Sequence, residues 1–401
     1  MQETWRWFGP DDPVSLREVI QAGASGVVTS LHHIPTGEIW PVPEIIGRRR
    51  EIEAHGMNWA VVESVPVHND IKTRSGDYRR LIDNYKQTLR HLGEAGIEVV
   101  CYNFMPVVDW TRTNLSYTLP NGARALRFEM TDFAAYDVYM LQRDGAAADY
   151  DPVVLERARE RFEAMSATER NLLESNVIAG LPGGEGSYDR EGIKVAIAQF
   201  NEIGTEGLRG NLYAFLDEVV PVAEEAGIRL CIHPDDPPFS LFGLPRVVST
   251  AADARGILAR VPSPQNGLTL CAGSFGARAD NDLVGMVREF GPAIHFVHLR
   301  NVRREPDGSF FESDHLGGDN DMVGLIAALL EEERRREAEG RADRIPMRPD
   351  HGHLLDSEGD GVRSNPGYSY AGRMKGLAEL RGVICALEAT RFYPGHASQH
   401  R

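Results

Sequence analysis

Short runs of apolar and β-branched residues alternate along the chain with longer segments in which apolar residues recur at helical spacing. This alternation is typical of repeated βα units, which build a parallel sheet. It predicts eight strands, each leading into a helix, and eight such units close a (β/α)8 TIM barrel. The predicted strands cover residues 4–8, 26–31, 59–63, 97–103, 229–233, 267–271, 293–298 and 345–350. The pattern therefore favours an α/β barrel, and a doubly wound open sheet is the alternative.

Local signals mark the ends of several predicted helices. Ser15 and Glu18 have the spacing of a capping box, in which each side chain accepts a hydrogen bond from the backbone of the other residue. Gly56 and Gly96 end the helices before the third and fourth strands, as expected of a residue that readily takes the left-handed conformation. These signals agree with the predicted βα boundaries.

The alternation is interrupted between residues 109 and 205, after the fourth predicted strand. This part contains a charged helical segment at residues 155–165 and a glycine-rich run at residues 180–186. The run lacks both the Gly-Lys-Ser/Thr ending and the preceding strand of a phosphate-binding loop, so we expect a lid or a connector. The chain is therefore predicted to be a single barrel domain over residues 1–401, with a mainly helical and loop insertion at about 109–205.

The charge of the chain restricts its partners. The formal net charge is −16, from 43 Lys and Arg against 59 Asp and Glu. Nucleic acids and anionic membranes are bound mainly through clustered Lys and Arg, so neither is expected. An anionic small molecule remains open, because a local arginine or a bound cation outweighs the overall field.

Location is predicted from the absence of sorting signals and from the cysteines. The first residues lack the basic region and apolar run of a signal peptide, and no stretch has the length of a membrane helix. Cysteines occur at positions 101, 231, 271 and 385, which is too few and too scattered for a disulfide framework. We expect a cytoplasmic protein. Its oligomeric state stays open, and a homodimer is one of the allowed states.

Four residues with metal-ligand side chains fall at the carboxyl ends of four successive predicted strands. Barrel active sites are assembled from several such strand ends. One His or Cys in such a place is commonly structural, whereas four in phase with the fold predict a metal centre. The four residues are His233, Cys271, His298 and Asp350.

Strand alternation separates these candidates from their neighbours. His298 is predicted to point inward, so His295 should face the other way as a structural residue. Cys231 shares a face with His233 but lies one layer deeper, which predicts core packing. Arg348 precedes Asp350 by two residues and is expected to form a structural ion pair beneath the metal.

Two imidazoles, a thiolate and a carboxylate suit a divalent transition metal. By ligand softness Zn2+ is the first expectation, and Fe2+ or Mn2+ is the second. Arg300 follows His298 closely and is placed to hold a substrate carboxylate in a bidentate contact. Pairing of Arg300 with a loop acid such as Asp314 is the alternative.

Longer motifs resemble those of the mannonate dehydratase family of hexuronate breakdown, and they extend over nearly the whole chain. The resemblance implies a barrel similar to the xylose-isomerase-like group. It also implies an Fe2+- or Mn2+-dependent hydro-lyase that converts D-mannonate to 2-dehydro-3-deoxy-D-gluconate and water. The motifs are Phe8-Gly9-Pro10-Asp11-Asp12-Pro13-Val14, Glu63-Ser64-Val65-Pro66-Val67-His68, Cys231-Ile232-His233-Pro234-Asp235-Asp236-Pro237-Pro238, Val297-His298-Leu299-Arg300, Met347-Arg348-Pro349-Asp350-His351-Gly352-His353 and Asn365-Pro366-Gly367-Tyr368.

The resemblance assigns roles to individual residues. The family's metal ligands match the four strand-end residues, and its preference replaces zinc with Fe2+ or Mn2+, although a purified sample can carry Zn2+. The family's acid and base match His351 and Tyr368, with the order of the two open. Arg300 and Asn103 are expected to contact the substrate, and His353 is expected to lie outside the metal shell.

Two other functions are compatible with these residues. One is a metal-dependent sugar isomerase or epimerase on the same barrel, because enediol chemistry shares the first proton transfer. The other is a sugar- or metal-binding protein without turnover. A His beside a ligand Asp adds nothing to a mere binding site, which disfavours this second alternative.

Overall fold

The strands and their order come from a computed structural model that describes residues 1–179, 190–341, 343–359 and 364–392. The predicted glycine-rich run at 180–186 lies outside these residues. Within them the chain forms twelve strands: β1 (Gln2–Arg6), β2 (Gly26–Thr29), β3 (Asn58–Glu63), β4 (Val99–Tyr102), β5 (Asn114–Thr118), β6 (Arg124–Phe128), β7 (Arg229–Ile232), β8 (Asn266–Cys271), β9 (Ile294–His298), β10 (Val302–Arg304), β11 (Phe310–Glu312) and β12 (Pro346–Arg348).

The helices follow most of the predicted positions. None within the described ranges is long and apolar enough to cross a membrane. In chain order they are α1 (Leu16–Gln21), α2 (Val42–Glu53), α3 (Asn69–Thr73), α4 (Tyr78–Glu94), α5 (Met130–Ala135), α6 (Pro152–Ala164), α7 (Ala167–Ala179), α8 (Arg190–Asn201), α9 (Gly204–Ala226), α10 (Ala251–Arg260), α11 (Ala272–Phe275), α12 (Leu283–Phe290), α13 (Met322–Ala338) and α14 (Tyr370–Phe392).

Eight parallel strands close into a barrel in the order β1-β12-β9-β8-β7-β4-β3-β2. All eight correspond to predicted strands, so the barrel is confirmed and the open sheet is wrong. Closure pairs the first barrel strand with the last, because Gln2 and Glu3 of β1 pair with Pro346 and Met347 of β12. The first strand ends earlier than predicted, since Phe8 leaves the sheet and lines a pocket.

The predicted helix boundaries are also found. Ser15 and Glu18 form a capping box at the start of α1. Gly56 and Gly96 have φ of +76° and +74°, in the left-handed region that glycine favours. Local sequence therefore sets where these helices stop and the next strands begin.

The region after β4 contains helices α5–α8, as predicted, together with strands that were not predicted. It contains the hairpin β5–β6, which joins β10 and β11 in a four-stranded antiparallel sheet of order β10-β11-β6-β5. β5 has no fully buried residue, and β10 and β11 have three residues each. Their alternation is therefore too weak and too short to be recognised from the sequence alone. The small sheet joins the segments that follow β4 and β9.

Helix α9 packs against the barrel through an aromatic cluster. Phe215 is fully buried, with ring centroids 5.1 Å from Tyr85, 5.8 Å from Tyr102 and 5.8 Å from Phe104. Replacing Phe215 by alanine is expected to lower the free energy of unfolding by about 3–5 kcal/mol, through lost burial and the cavity left behind. Guanidinium denaturation measures the change, and Leu172→Ala, at a 60% exposed position, is the control. Equal stability of the two variants would contradict this packing role.

Candidate active site

A pocket of about 680 Å³ lies where the barrel strands end. Residues at the carboxyl ends of β3, β4, β7, β9 and β12 contribute to its wall. In a parallel barrel the carboxyl ends of all strands meet at one face, and the loops that follow them surround a common space. Side chains far apart in the sequence therefore meet here.

Three of the four predicted metal ligands form a compact group at the wall of this pocket, which His233 lines. His233 follows β7, while Cys271 and His298 are the last residues of β8 and β9. One ligand atom from each residue lies within 4.8 Å of the other two. The two imidazoles face each other, with His233 Nε2 3.3 Å from His298 Nδ1. This is the only such group of metal-ligand side chains in the part of the chain that the structure describes.

Asp350 lies at the edge of this group. Its Oδ2 atom is 3.8 Å from His298 Nδ1 and 4.0 Å from Cys271 Sγ. The backbone of Asp350 has φ of +66°, which is uncommon for a residue with a Cβ and clusters at functional sites. This conformation follows directly after β12 and places the carboxylate beside the other three residues.

The electrostatics of the group favour a cation. Burial alone raises the pKa of the Cys271 thiol, but Arg300 and the two imidazoles outweigh it and hold that pKa well below its usual value. Burial also raises the pKa of Asp350, but Arg348 and the neighbouring charges hold it well below the usual range. A thiolate and a carboxylate beside two imidazole nitrogens form a donor set that fits a divalent transition metal.

Glu63, the last residue of β3, orients His298 from the side opposite the group. Its Oε1 atom is 3.2 Å from His298 Nε2, which leaves Nδ1 directed at the other candidate ligands. Arg348 holds the same carboxylate at 3.0 Å and also pairs with Asp350, as expected for a structural ion pair. The Glu63 carboxylate therefore lies between His298 and Arg348.

His351 and Tyr368 are adjacent in the pocket wall. His351 Nε2 lies 3.2 Å from Tyr368 Oη, and their rings pack edge to face with centroids 4.9 Å apart. Burial raises the pKa of Tyr368 to about 12, against the lowering effect of Arg348. Tyr368 therefore keeps its proton at neutral pH, so it can act as a donor.

Arg300 is held by acids of the pocket rather than by a surface loop. Its Nη2 donates to Asp236 Oδ2 at 2.5 Å, and its Nη1 lies 3.2 Å from Asp350 Oδ2. The alternative pairing with Asp314 is wrong, because Asp314 is half-exposed and pairs with Lys375 instead. Arg300 is 3% exposed and lines the pocket.

Glu312, at the end of β11, contacts the back of the His351 ring. Both of its carboxylate oxygens lie 2.8 Å from His351 Nδ1. Arg112, from the segment after β4, donates to Glu312 Oε1 at 3.1 Å and to Asp236 Oδ1 at 2.7 Å. Neither Glu312 nor Arg112 was found from the sequence, since the small sheet that carries them was not predicted.

The structure also places the other residues that were considered from the sequence. Asn103 follows β4 and lines the pocket. His353 Nε2 donates to the backbone carbonyl oxygen of Glu312 at 2.9 Å and does not line the pocket. His295 and Cys231 are buried, and neither lines the pocket. Cys231 belongs to a small apolar cluster inside the barrel, as predicted.

A parallel barrel with two imidazoles, a thiolate and a carboxylate at the carboxyl ends of its strands defines a barrel enzyme with a candidate metal centre. His351 and Tyr368 lie side by side in the same pocket wall. Comparison with known proteins narrows the class to one family.

The D-mannonate dehydratase (UxuA) family matches residues 1–393. The mannonate dehydratase of Saccharophagus degradans is 67% identical over 389 residues, which is 97% of this chain and 98% of the relative. A crystal structure of mannonate dehydratase from Streptococcus suis superposes with a TM-score of 0.76 at 32% identity, covering 98% of this chain and 95% of that chain. D-psicose 3-epimerase from Clostridium cellulolyticum H10 reaches a TM-score of 0.51 at 11% identity, covering 96% and 99%, which shows a shared fold alone.

The chain belongs to the D-mannonate dehydratase family. The resemblance inferred from its motifs is thereby confirmed. The protein is a lyase of the hydro-lyase type.

Proposed function

We propose that the protein removes water from D-mannonate to give 2-dehydro-3-deoxy-D-gluconate, in the breakdown of hexuronates. The observation that carries this proposal is the His351–Tyr368 pair, at 3.2 Å, in the pocket that the candidate metal ligands His233 and Asp350 also line. Dehydration needs one group that takes the C2 proton and one that protonates the departing C3 hydroxyl. A pair of proton carriers beside a cation site supplies both.

We assign the metal ligands as His233, Cys271, His298 and Asp350, and the metal as Fe2+ or Mn2+. The thiolate character of Cys271 and the convergence of both imidazoles support this assignment. A bound divalent cation supplies Lewis-acid stabilisation for the negative charge that develops next to the substrate carboxylate. Metal analysis of protein purified without oxygen tests the identity of the ion.

We assign His351 as the base and Tyr368 as the acid. His351 Nε2 faces Tyr368 Oη, and the raised pKa of Tyr368 keeps its hydroxyl protonated and available to the leaving group. A neutral imidazole has a free lone pair on one ring nitrogen, so it is suited to accept the C2 proton. The T-shaped packing of the two rings holds the acid and the base in a fixed relation.

Substrate contacts are assigned to Asn103 and Arg300, which line the pocket. Arg300 already pairs with Asp236 and Asp350. Its guanidinium therefore offers the substrate a fixed positive charge rather than a free bidentate hydrogen-bonding edge. Asn103 presents an amide with both donor and acceptor atoms. Together they provide a charge and a polar contact for a hydroxylated carboxylic acid.

Trp110 is a further substrate contact in this pocket. It is 4% exposed, and its indole Nε1 has no hydrogen-bond partner among the described residues, so a substrate hydroxyl would satisfy it. Trp110→Phe is expected to raise KM about three- to tenfold with kcat nearly unchanged, as one neutral hydrogen bond is lost. Steady-state kinetics measure the change, and Trp40→Phe, at a buried tryptophan outside the pocket, is the control. An unchanged KM would remove Trp110 from the substrate contacts.

The decisive test is an anaerobic assay of Fe2+- or Mn2+-reconstituted protein against a panel of hexonates and pentonates. D-mannonate is expected to yield a 2-keto-3-deoxy acid lighter than the substrate by one water, and a chelator should abolish turnover. A product of unchanged mass would instead identify an isomerase or epimerase. Mannonate recovered unchanged after long incubation would identify a binding protein.

We also infer a cytoplasmic location and a homodimer. Among the described residues all four cysteines are free, three of them buried, which fits a reducing compartment. Light scattering of the metal-loaded protein and fractionation of the producing cells test the two inferences.

A further inference from the structure

Glu312 does not belong to the barrel, yet it reaches the proton-carrying pair. It ends β11 in the small antiparallel sheet, and its side chain is 4% exposed. Both carboxylate oxygens lie 2.8 Å from His351 Nδ1, on the side of the ring opposite Tyr368. The imidazole is therefore held between a carboxylate and a hydroxyl.

The hydrogen-bonding capacity of the neighbours decides which ring nitrogen of His351 carries the proton. Nδ1 is also 3.2 Å from Arg300 Nη1. Arginine can only donate, whereas an ionised carboxylate can only accept, so Nδ1 cannot satisfy both neighbours at once. The two shorter contacts to Glu312 assign the hydrogen to Nδ1, and Arg300 has the carboxylates of Asp236 and Asp350 to receive its own hydrogens.

We propose that Glu312 is a positioning residue that keeps the proton of His351 on Nδ1, so that Nε2 is the atom that accepts a proton from the substrate. This role rests on the proposed dehydratase function and extends it. It requires Glu312 to act through His351, without touching the substrate. A carboxylate that receives the far N–H of an imidazole fixes both the tautomer and the direction of the ring.

The charge of Glu312 is compensated from two sides. Arg112 Nη2 donates to its Oε1 at 3.1 Å, and Arg300 Nη1 lies 3.4 Å from the same oxygen. A buried carboxylate left without such partners is strongly destabilising. Oε1 contacts Arg112, Arg300 and His351, so a side chain with one oxygen at that position retains an acceptor for all three residues.

These contacts give a role to the two non-barrel segments. Arg112 lies just before β5 in the segment after β4, and Glu312 ends β11 in the hairpin after β9. The two segments pair in one sheet, with Phe310 opposite Phe128. The sheet therefore brings a carboxylate to a histidine that follows β12.

The first test compares two variants of Glu312. Glu312→Leu is expected to lower kcat about 100-fold or more with KM within about threefold, because the base loses its orientation while substrate contacts remain. Glu312→Gln, which retains an oxygen acceptor, should recover at least about tenfold of that loss. Glu305→Gln is the control, since Glu305 lies in the same hairpin and pairs with Arg127 instead. A loss of kcat/KM that comes from a higher KM alone, with kcat unchanged, would contradict the proposal.

A double-substitution cycle separates positioning from general support of the fold. In a His351→Asn background, Glu312→Gln is expected to cause no further loss of kcat, because the residue through which it acts is already absent. Losses that multiply would show that Glu312 acts independently of His351 and would overturn the proposal.

The last test does not depend on turnover. Long-range 1H–15N spectra of 15N-histidine-labelled protein loaded with diamagnetic Zn2+, and assigned with His351→Asn, report the tautomer directly. Wild type should show the proton on Nδ1, and Glu312→Leu should shift it toward Nε2. A wild-type proton on Nε2 overturns the proposal even if Glu312→Leu does not fold. If mannonate is not dehydrated, the proposed function fails while the spectra still decide the tautomer.

Discussion

Replacing His351 by asparagine is expected to lower kcat about 1000-fold while the protein still binds its metal. The reason is that asparagine cannot accept a proton at neutral pH, whereas general base catalysis by a positioned side chain contributes about 10²- to 10⁴-fold. The asparagine amide reaches the position of Nδ1, so Glu312 retains a donor, while the contact of Nε2 with Tyr368 is lost. Steady-state kinetics with metal analysis of the same samples measure both quantities.

Two further variants test this expectation. Tyr368→Phe should also lower kcat strongly, since the proposed donor to the leaving group is lost. His91→Asn should leave kcat unchanged, because His91 lies on α4 and contacts the backbone of Trp40 at 2.7 Å, outside the pocket. Near-normal turnover by His351→Asn with full metal content would exclude His351 as the proton carrier.

Replacing Cys271 by serine is expected to weaken metal binding by more than about 100-fold, with activity lost at limiting metal. Altering groups that merely orient metal ligands already costs about 10- to 100-fold in affinity. The ligand itself should cost more, since a serine hydroxyl does not ionise as the Cys271 thiol does beside Arg300. Metal titration followed by elemental analysis measures the affinity.

Cys231→Ser is the matched control for this prediction. Cys231 is equally buried in the barrel but belongs to an apolar cluster below the candidate metal ligands. It should retain metal and activity, with at most a moderate loss of stability from the buried hydroxyl. Unchanged metal affinity in Cys271→Ser would instead place the metal elsewhere and refute the four-ligand assignment.

Strand periodicity was sufficient to predict the barrel and the meeting of the candidate ligands. Once a parallel barrel is recognised, the residues that end its strands must converge, whatever their separation in the chain. His233, Cys271 and His298 were found in this way without reference to any contact. Glu63 carries the same signal, as the last residue of β3, and the same argument applied to the third strand would have found it.

The rest of the site depends on contacts that leave no local pattern. Arg112 and Glu312 are 200 positions apart, and the three-residue strand that ends at Glu312 is too short to show an alternation. Their pairing is decided by the packing of one inserted segment on another. The ion pairs of Arg300 also leave no local pattern in the sequence, since its partners Asp236 and Asp350 come from different strand ends.

The pairing of β1 with β12 has a consequence for how the protein is made. A ribosome releases the amino-terminal strand first, yet its partner begins only at Pro346. At about 5–20 residues per second, most of the synthesis time passes before the barrel can close. Asp350 is translated after that last strand, so the four proposed ligands can hold an ion together only once residue 350 has been made.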